Sequence, residues 1–130
     1  MHRWIAALVL LIAAIAPAII GPATIAPAWA ATYLTAVSDL PLADGLKEQA
    51  DKGTVFDTPL GRIVNAYATG NVKPEAVLDF YDDTLPQLGW DRQKAGTYHR
   101  KNEILKIDVW GPDAGPTNVS YTLSTQNPAQ

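Results

Sequence analysis

The strongest periodic signal in the chain lies between Lys73 and Gly89. At about 100° per residue, Val77, Leu78, Phe80, Tyr81, Leu85 and Leu88 fall in one arc, while Glu75, Asp79, Asp82 and Asp83 gather opposite. Lys73-Pro74-Glu75 supplies a start: proline's missing N–H costs nothing in a first helical turn, and the carboxylate complements the helix dipole. Pro86 weakens the last turn and Gly89 stops it. The pattern predicts one amphipathic helix lying on a core.

A period of two governs much of the rest. Leu105, Ile107 and Val109 alternate with Lys106 and Asp108, and Val119, Tyr121 and Leu123 alternate with Asn118, Ser120, Thr122 and Ser124. Each strand therefore has a dry and a wet face. Thr97 to Arg100 precedes the first of them across a polar turn at Lys101-Asn102-Glu103, and a Gly- and Pro-rich loop from Gly111 to Thr117 separates the two. Upstream, Val55 to Asp57, the turn Thr58-Pro59-Leu60-Gly61, and Arg62 to Ala68 read as a hairpin. In its second strand Ile63 and Tyr67 share one face and Val64 and Ala66 the other, and either set can be the buried one. The order β-β-α-β-β-β predicts an α+β fold, a single antiparallel sheet with one amphipathic helix packed on one face. Residues 54–125 form this compact domain and 126–130 a frayed tail. Residues 31–53 form an N-terminal arm, loosely docked from Ala31 to Val37, with a helical turn expected from Gly45 to Ala50.

The first thirty residues break every one of these patterns. Met1, His2 and Arg3 give a basic start, Trp4 to Ile20 is apolar apart from Pro17, and Ala28-Trp29-Ala30 ends the segment. This is the layout of a secretory signal peptide (residues 1–30), with Ala28 and Ala30 as the small residues read by signal peptidase and the cut before Ala31. Ala16-Pro17-Ala18 is a weaker site because it would truncate the apolar core. An uncleaved anchor is the alternative, although 17 apolar residues sit at the short limit for a spanning helix, where about 20 are usual. A periplasmic or secreted location is expected, with membrane contact only through this segment before cleavage.

Composition narrows the chemistry. No cysteine occurs, so lipid anchoring at a lipobox cysteine, disulfides, zinc–thiolate sites and thiol catalysis are excluded. Loss of Arg3 leaves nine basic against thirteen acidic residues, a net charge of −4, which gives no reason to expect nucleic-acid binding. About 100 residues suffice for one core.

Phe80-Tyr81-x-x-x-Leu85-Pro86-x-x-Gly89-Trp90, followed by a charged hairpin, resembles a segment of small bacterial secreted and envelope proteins. Phe56-x-Thr58-Pro59-x-Gly61-Arg62 and Asp39-Leu40-Pro41-Leu42 extend the likeness over most of residues 39–123. The resemblance implies fold and export and carries no activity; its motif residues read as aromatic anchors, a helix stop and a turn.

Candidate catalytic groups are sparse. His99 is the one histidine after the leader and stands beside Arg100 and Lys101, which disfavour its protonation and repel a metal. Ser38, Ser120 and Ser124 lie in no Gly-x-Ser-x-Gly or Ser-x-x-Lys arrangement. The helix carboxylates are a solvated face, since calcium needs six to eight oxygens wrapped around it, roughly, and a straight helix offers few. No phosphate loop or dinucleotide fingerprint occurs, and no cofactor is expected.

Arg92, Lys94, Arg100, Lys101 and Lys106 concentrate positive charge in a short stretch, and Trp110 ends its strand on the same parity as Lys106. Lysines commonly protect strand edges. As a binding surface, Arg100, Lys101, Lys106 and Trp110 would suit an envelope protein or an anionic surface. The function expected is a non-enzymatic binding or assembly module. The alternatives are a small periplasmic hydrolase using His99 with distant carboxylates, and an apolar small-ligand carrier with a cavity lined by Phe80, Tyr81, Leu105 and Ile107.

Overall fold

Hydrogen-bond register turns the alternating strands into one surface. The computed structural model describes Gly21, residues 31–112 and residues 114–126. Apart from Gly21, the segment expected to be a signal peptide, with Ala28 and Ala30, lies outside the described residues, as do residues 127–130. The strands are β1 (Lys47–Glu48), β2 (Thr54–Thr58), β3 (Gly61–Gly70), β4 (Asp91–Lys94), β5 (Thr97–Arg100), β6 (Glu103–Trp110) and β7 (Thr117–Gln126). The helix α1 (Pro74–Thr84) continues into a 3₁₀ turn over Leu85–Leu88.

All pairings are antiparallel, in the order β3-β7-β6-β5-β4, with β1 and β2 placed in tandem along the outer side of β3. The fold is α+β, with a single antiparallel sheet and α1 packed on one face. The chain leaves β3, crosses the sheet through α1, and returns by the meander β4 to β7.

Register also decides which side of β3 is dry. Val64, Ala66 and Ala68 stand opposite Leu123, Tyr121 and Val119, and with Leu105, Ile107 and Tyr98 they form the floor of the core. Val77, Tyr81 and Leu85 of the helix segment close it from above. Leu88, counted on sequence in the apolar arc, is instead 37% exposed, because the helix has tightened to a 3₁₀ turn by then and its face has rotated. Gly89, at φ +88°, ends the turn, and the Trp90 N–H reaches back to the Leu85 carbonyl. That reversal drops Trp90 into the core.

Four expectations need correction. The stretch from Ala31 to Val37 is not loosely docked: Leu34 and Val37 are buried with Leu40, Leu42 and Ala43, and residues 32–42 close on themselves through Leu34–Leu40 and Thr32–Leu42 backbone bonds. The reason is that α1 does not fill the sheet's apolar face, and this loop covers the remainder. Gly45 to Ala50 is not helical: Lys47 and Glu48 are extended against Thr69 and Ala68, and the 3₁₀ turn falls later, at Ala50–Lys52. Asp91–Lys94 forms an additional strand, exposed along its length. Gln126 is not frayed, since its N–H and carbonyl both bond Asn102.

Candidate functional site

The most polar point of the core is built by three segments remote in sequence. The Tyr81 hydroxyl donates to the Pro41 carbonyl (2.9 Å), and accepts from the Ala43 N–H (3.3 Å) and from the Tyr121 hydroxyl (2.7 Å). That assignment uses the one proton and both lone pairs of Tyr81. The rings of Tyr81, Tyr121 and Phe80 meet edge to face. Burial pushes the Tyr81 hydroxyl up to about 12, against the opposing effect of its two incoming hydrogen bonds. Tyr121 is raised further, by burial and by the Tyr81 hydroxyl beside it. Both stay protonated and closed off. The cluster is architecture.

A second polar tie joins α1 to the meander. The Tyr98 hydroxyl donates to Asp82 Oδ1 at 2.6 Å, and the Arg92 Nε donates to the same oxygen at 3.0 Å. Burial, then the hydrogen bond and charge of Asp82, raises the Tyr98 hydroxyl well above its ordinary value. Asp82 therefore leaves the solvated stripe to which its spacing assigned it, whereas Glu75, Asp79 and Asp83 remain exposed. Among the described residues no group of three or more His, Asp or Glu side chains is placed to hold a metal ion.

The basic stretch is divided by the pleat of the sheet. Arg100 faces the helix side, where its guanidinium lies 4.2 Å over the Trp90 ring and bonds Asp39 (2.7 Å), Glu103 (3.0 Å) and the Leu88 carbonyl (3.3 Å). Partial burial opposes its charge, but Asp39 and Glu103 outweigh that and raise its pKa. Arg100 is thus a clamp, although its sequence suggested a contact residue. Lys101 sits at the exposed β5–β6 turn with φ +53°. Lys106 and Trp110 stand on the opposite, uncovered face of β6.

On that uncovered face Trp110 is 50% exposed. Cross-strand pairing sets it level with Asn118 and Thr69, with Asp108, Ser120 and Tyr67 forming the next row and Lys106, Thr122 and Asn65 the one after. Tyr67 and Trp110 line a cleft of about 230 Å³ with Gln49, Lys52 and Asn118. Tyr67 was not singled out on sequence as a site residue. Its shared parity with Ile63 was the available signal, once Val64 and Ala66 are known to be the buried pair.

The remaining candidates are dispersed. His99 is exposed on the same open face, opposite Asp91 of β4 and Ile104 of β6. A carboxylate is its strand neighbour, yet both groups lie on an open strand surface and not in a cleft. Ser124 shares a cross-strand row with His99, two strands away beyond Ile104, whereas Ser120 lies further along β7 and Ser38 in the loop over the core. Of the residues expected to line a ligand cavity, Tyr81, Leu105 and Ile107 are packed into the continuous core, and half-buried Phe80 borders two clefts of about 230 and 260 Å³ beside Asp44.

No protein-family model matches this chain, and no curated protein and no solved structure matches it either.

Proposed function

We propose that this chain is an exported, non-enzymatic binding module of the bacterial envelope, and that it engages its partner through the uncovered sheet face around Trp110, Tyr67 and Lys106. The observation that carries this reading is the half-exposed Trp110 indole beside a cleft, on a face that α1 does not cover, with a lysine along the same strand. A large aromatic left in water at the centre of a polar rim is the usual anchor of a protein interface. Arg92 and Arg100 are engaged within the chain, so Lys94, Lys101 and Lys106, all exposed, are the cations of that stretch left to meet an acidic partner, and Lys106 is the one on the strand of Trp110. The hydrolase reading has no comparable support, since no cleft found among the described residues gathers an acid, a nucleophile and His99.

The leader is proposed to be removed before Ala31. N-terminal sequencing of the chain recovered from the envelope or medium tests that, and a first residue of Met1 refutes it. For the surface, a photo-crosslinking residue replacing Asn118, next to Trp110, should yield discrete adducts in intact cells. Trp110→Ala with Lys106→Glu should abolish them while leaving the fold unchanged by circular dichroism. Adducts that persist in the double variant overturn the assignment.

A further inference from the structure

The two outer edges of the sheet are built differently. β4 carries Asp91, Arg92 and Lys94, and its register shifts between Arg92 and Lys94. Charges and irregularity of this sort keep an edge from adding another strand. β2, at the other side, has no such irregularity and carries a single charge. Its five residues pair with β3 in unbroken register, all five are exposed, and Val55 and Phe56 are 45% and 55% accessible. Its one charge, Asp57, is balanced by Arg62 at 3.6 Å. Among the described residues no strand pairs with its outer side. Alternate N–H and C=O groups of such an edge point outward, and the partner they fit is a strand.

We propose that β2 is an association edge at which two copies of this chain pair antiparallel about a two-fold axis through Phe56. The sequence of the strand is self-complementary in that register. Phe56 meets Phe56 of the second copy, Val55 meets Asp57, and Thr54 meets Thr58, so no like charges stand directly opposite. Ile63, the cross-strand neighbour of Phe56 on β3 and itself exposed, extends the apolar contact on both sides of the axis. Each copy has one such edge, so the contact is isologous and closes at two. The edge is also separate from the surface around Trp110: Trp110 is level with Thr69, six positions along β3 from Ile63. Either assignment can fail without the other.

The chain contains no cysteine, so single-cysteine variants report proximity directly. Thr54→Cys, Phe56→Cys and Leu60→Cys are made in the full chain, exported with its own leader, and oxidised mildly. On the axis, position 56 faces itself within disulfide range, Cα atoms about 4.4–6.8 Å apart, whereas position 54 is four residues out of step with its copy, roughly 13 Å away. Phe56→Cys should form disulfide dimers at least about tenfold faster than the other two, although Leu60 is the more exposed position. Equal rates at all three positions mean random collision and overturn the proposal. Sedimentation of the cysteine-free chain should show a dimer that is lost in both Phe56→Lys and Val55→Pro, with circular dichroism reporting the fold of each. Two variants are used because Val55→Pro also removes a strand N–H. A chain that is monomeric at every concentration reached refutes the pairing, including the case in which β2 accepts a strand from a different protein.

Discussion

Replacing Tyr81 by Phe deletes one oxygen and leaves the packing nearly intact, so it isolates the value of the hydroxyl junction. Three buried groups lose a partner: the Pro41 carbonyl, the Ala43 N–H and the Tyr121 hydroxyl. An unpaired buried group costs about 1–3 kcal/mol. The Tyr121 hydroxyl can swing toward the Pro41 carbonyl and recover part of that, which leaves a net loss of about 3 kcal/mol. For a domain of this size, about 4–8 °C of Tm per kcal/mol makes the expected fall roughly 12–24 °C. Tyr121→Phe removes a single donor while Tyr81 keeps Pro41 and Ala43, so its cost should be about 1 kcal/mol. The double variant should cost less than the two single losses together, because the Tyr81–Tyr121 bond is counted in both. Thermal and urea unfolding followed by circular dichroism measure all three. A Tyr81→Phe loss below about 1 kcal/mol, or strict additivity with Tyr121→Phe, would show that the loop and the sheet are held by apolar packing alone.

Alkaline unfolding provides a second measurement on the same groups. Tyr81 ionises near 12 in the folded chain and at about 10 when unfolded, so between those values the unfolded state has released the proton that the folded state retains. Stability should therefore be flat up to pH 10 and then fall by at most about 1.4 kcal/mol per pH unit from Tyr81. Tyr98 and Tyr121 are raised too and steepen the slope, and Tyr81→Phe should make it shallower. Asp82→Ala strands the Tyr98 hydroxyl and frees Arg92. It should cost about 1–3 kcal/mol by urea titration, whereas Asp83→Ala, one residue along and exposed, should change stability by less than about 0.5 kcal/mol. Gly96→Ala imposes a side chain at φ +74°, with its Cβ 2.5 Å from the Ile107 carbonyl oxygen that faces it. Its melting temperature should drop by more than that of any exposed Ala substitution, and an unchanged value would show that the β4–β5 turn can shift at no cost.

The parts of the fold legible in the sequence are those whose environment repeats at a fixed period. Leu105, Ile107, Val119 and Tyr121 could be assigned to one dry face because they alternate with Lys106, Asp108, Asn118, Ser120 and Thr122, which require water. The buried Tyr81 and Leu85 and the Gly89 stop follow from helix geometry for a similar reason. The Leu34–Leu42 loop was obscured because its burial depends on a groove made by residues far along the chain, from Val64 to Tyr121, and no local period reports that. β4 was hidden by its composition: four charged or amide side chains, all in water, show no alternation. Arg100 misled for the opposite reason. It shares parity with Tyr98, hence the helix-side face, but a guanidinium reads as solvent-seeking until Asp39, Glu103 and Trp90 are seen around it. At the proposed surface, the outward aspect of Lys106 and Trp110 was readable from alternation, whereas the proximity of Tyr67 required the β3–β7 register.

The centre of the sheet joins strands that the chain makes far apart in time. Ala66 pairs with Tyr121, so the principal neighbour of β3 does not exist until β7 has been made. Pairings of such long sequence separation form slowly, and until the last strand emerges both β3 and β6 lack the ladder that lies between them. Until β7 joins, the local pairings of β2 with β3 and of β4 through β6 are the ones open to the chain, so the central ladders close last.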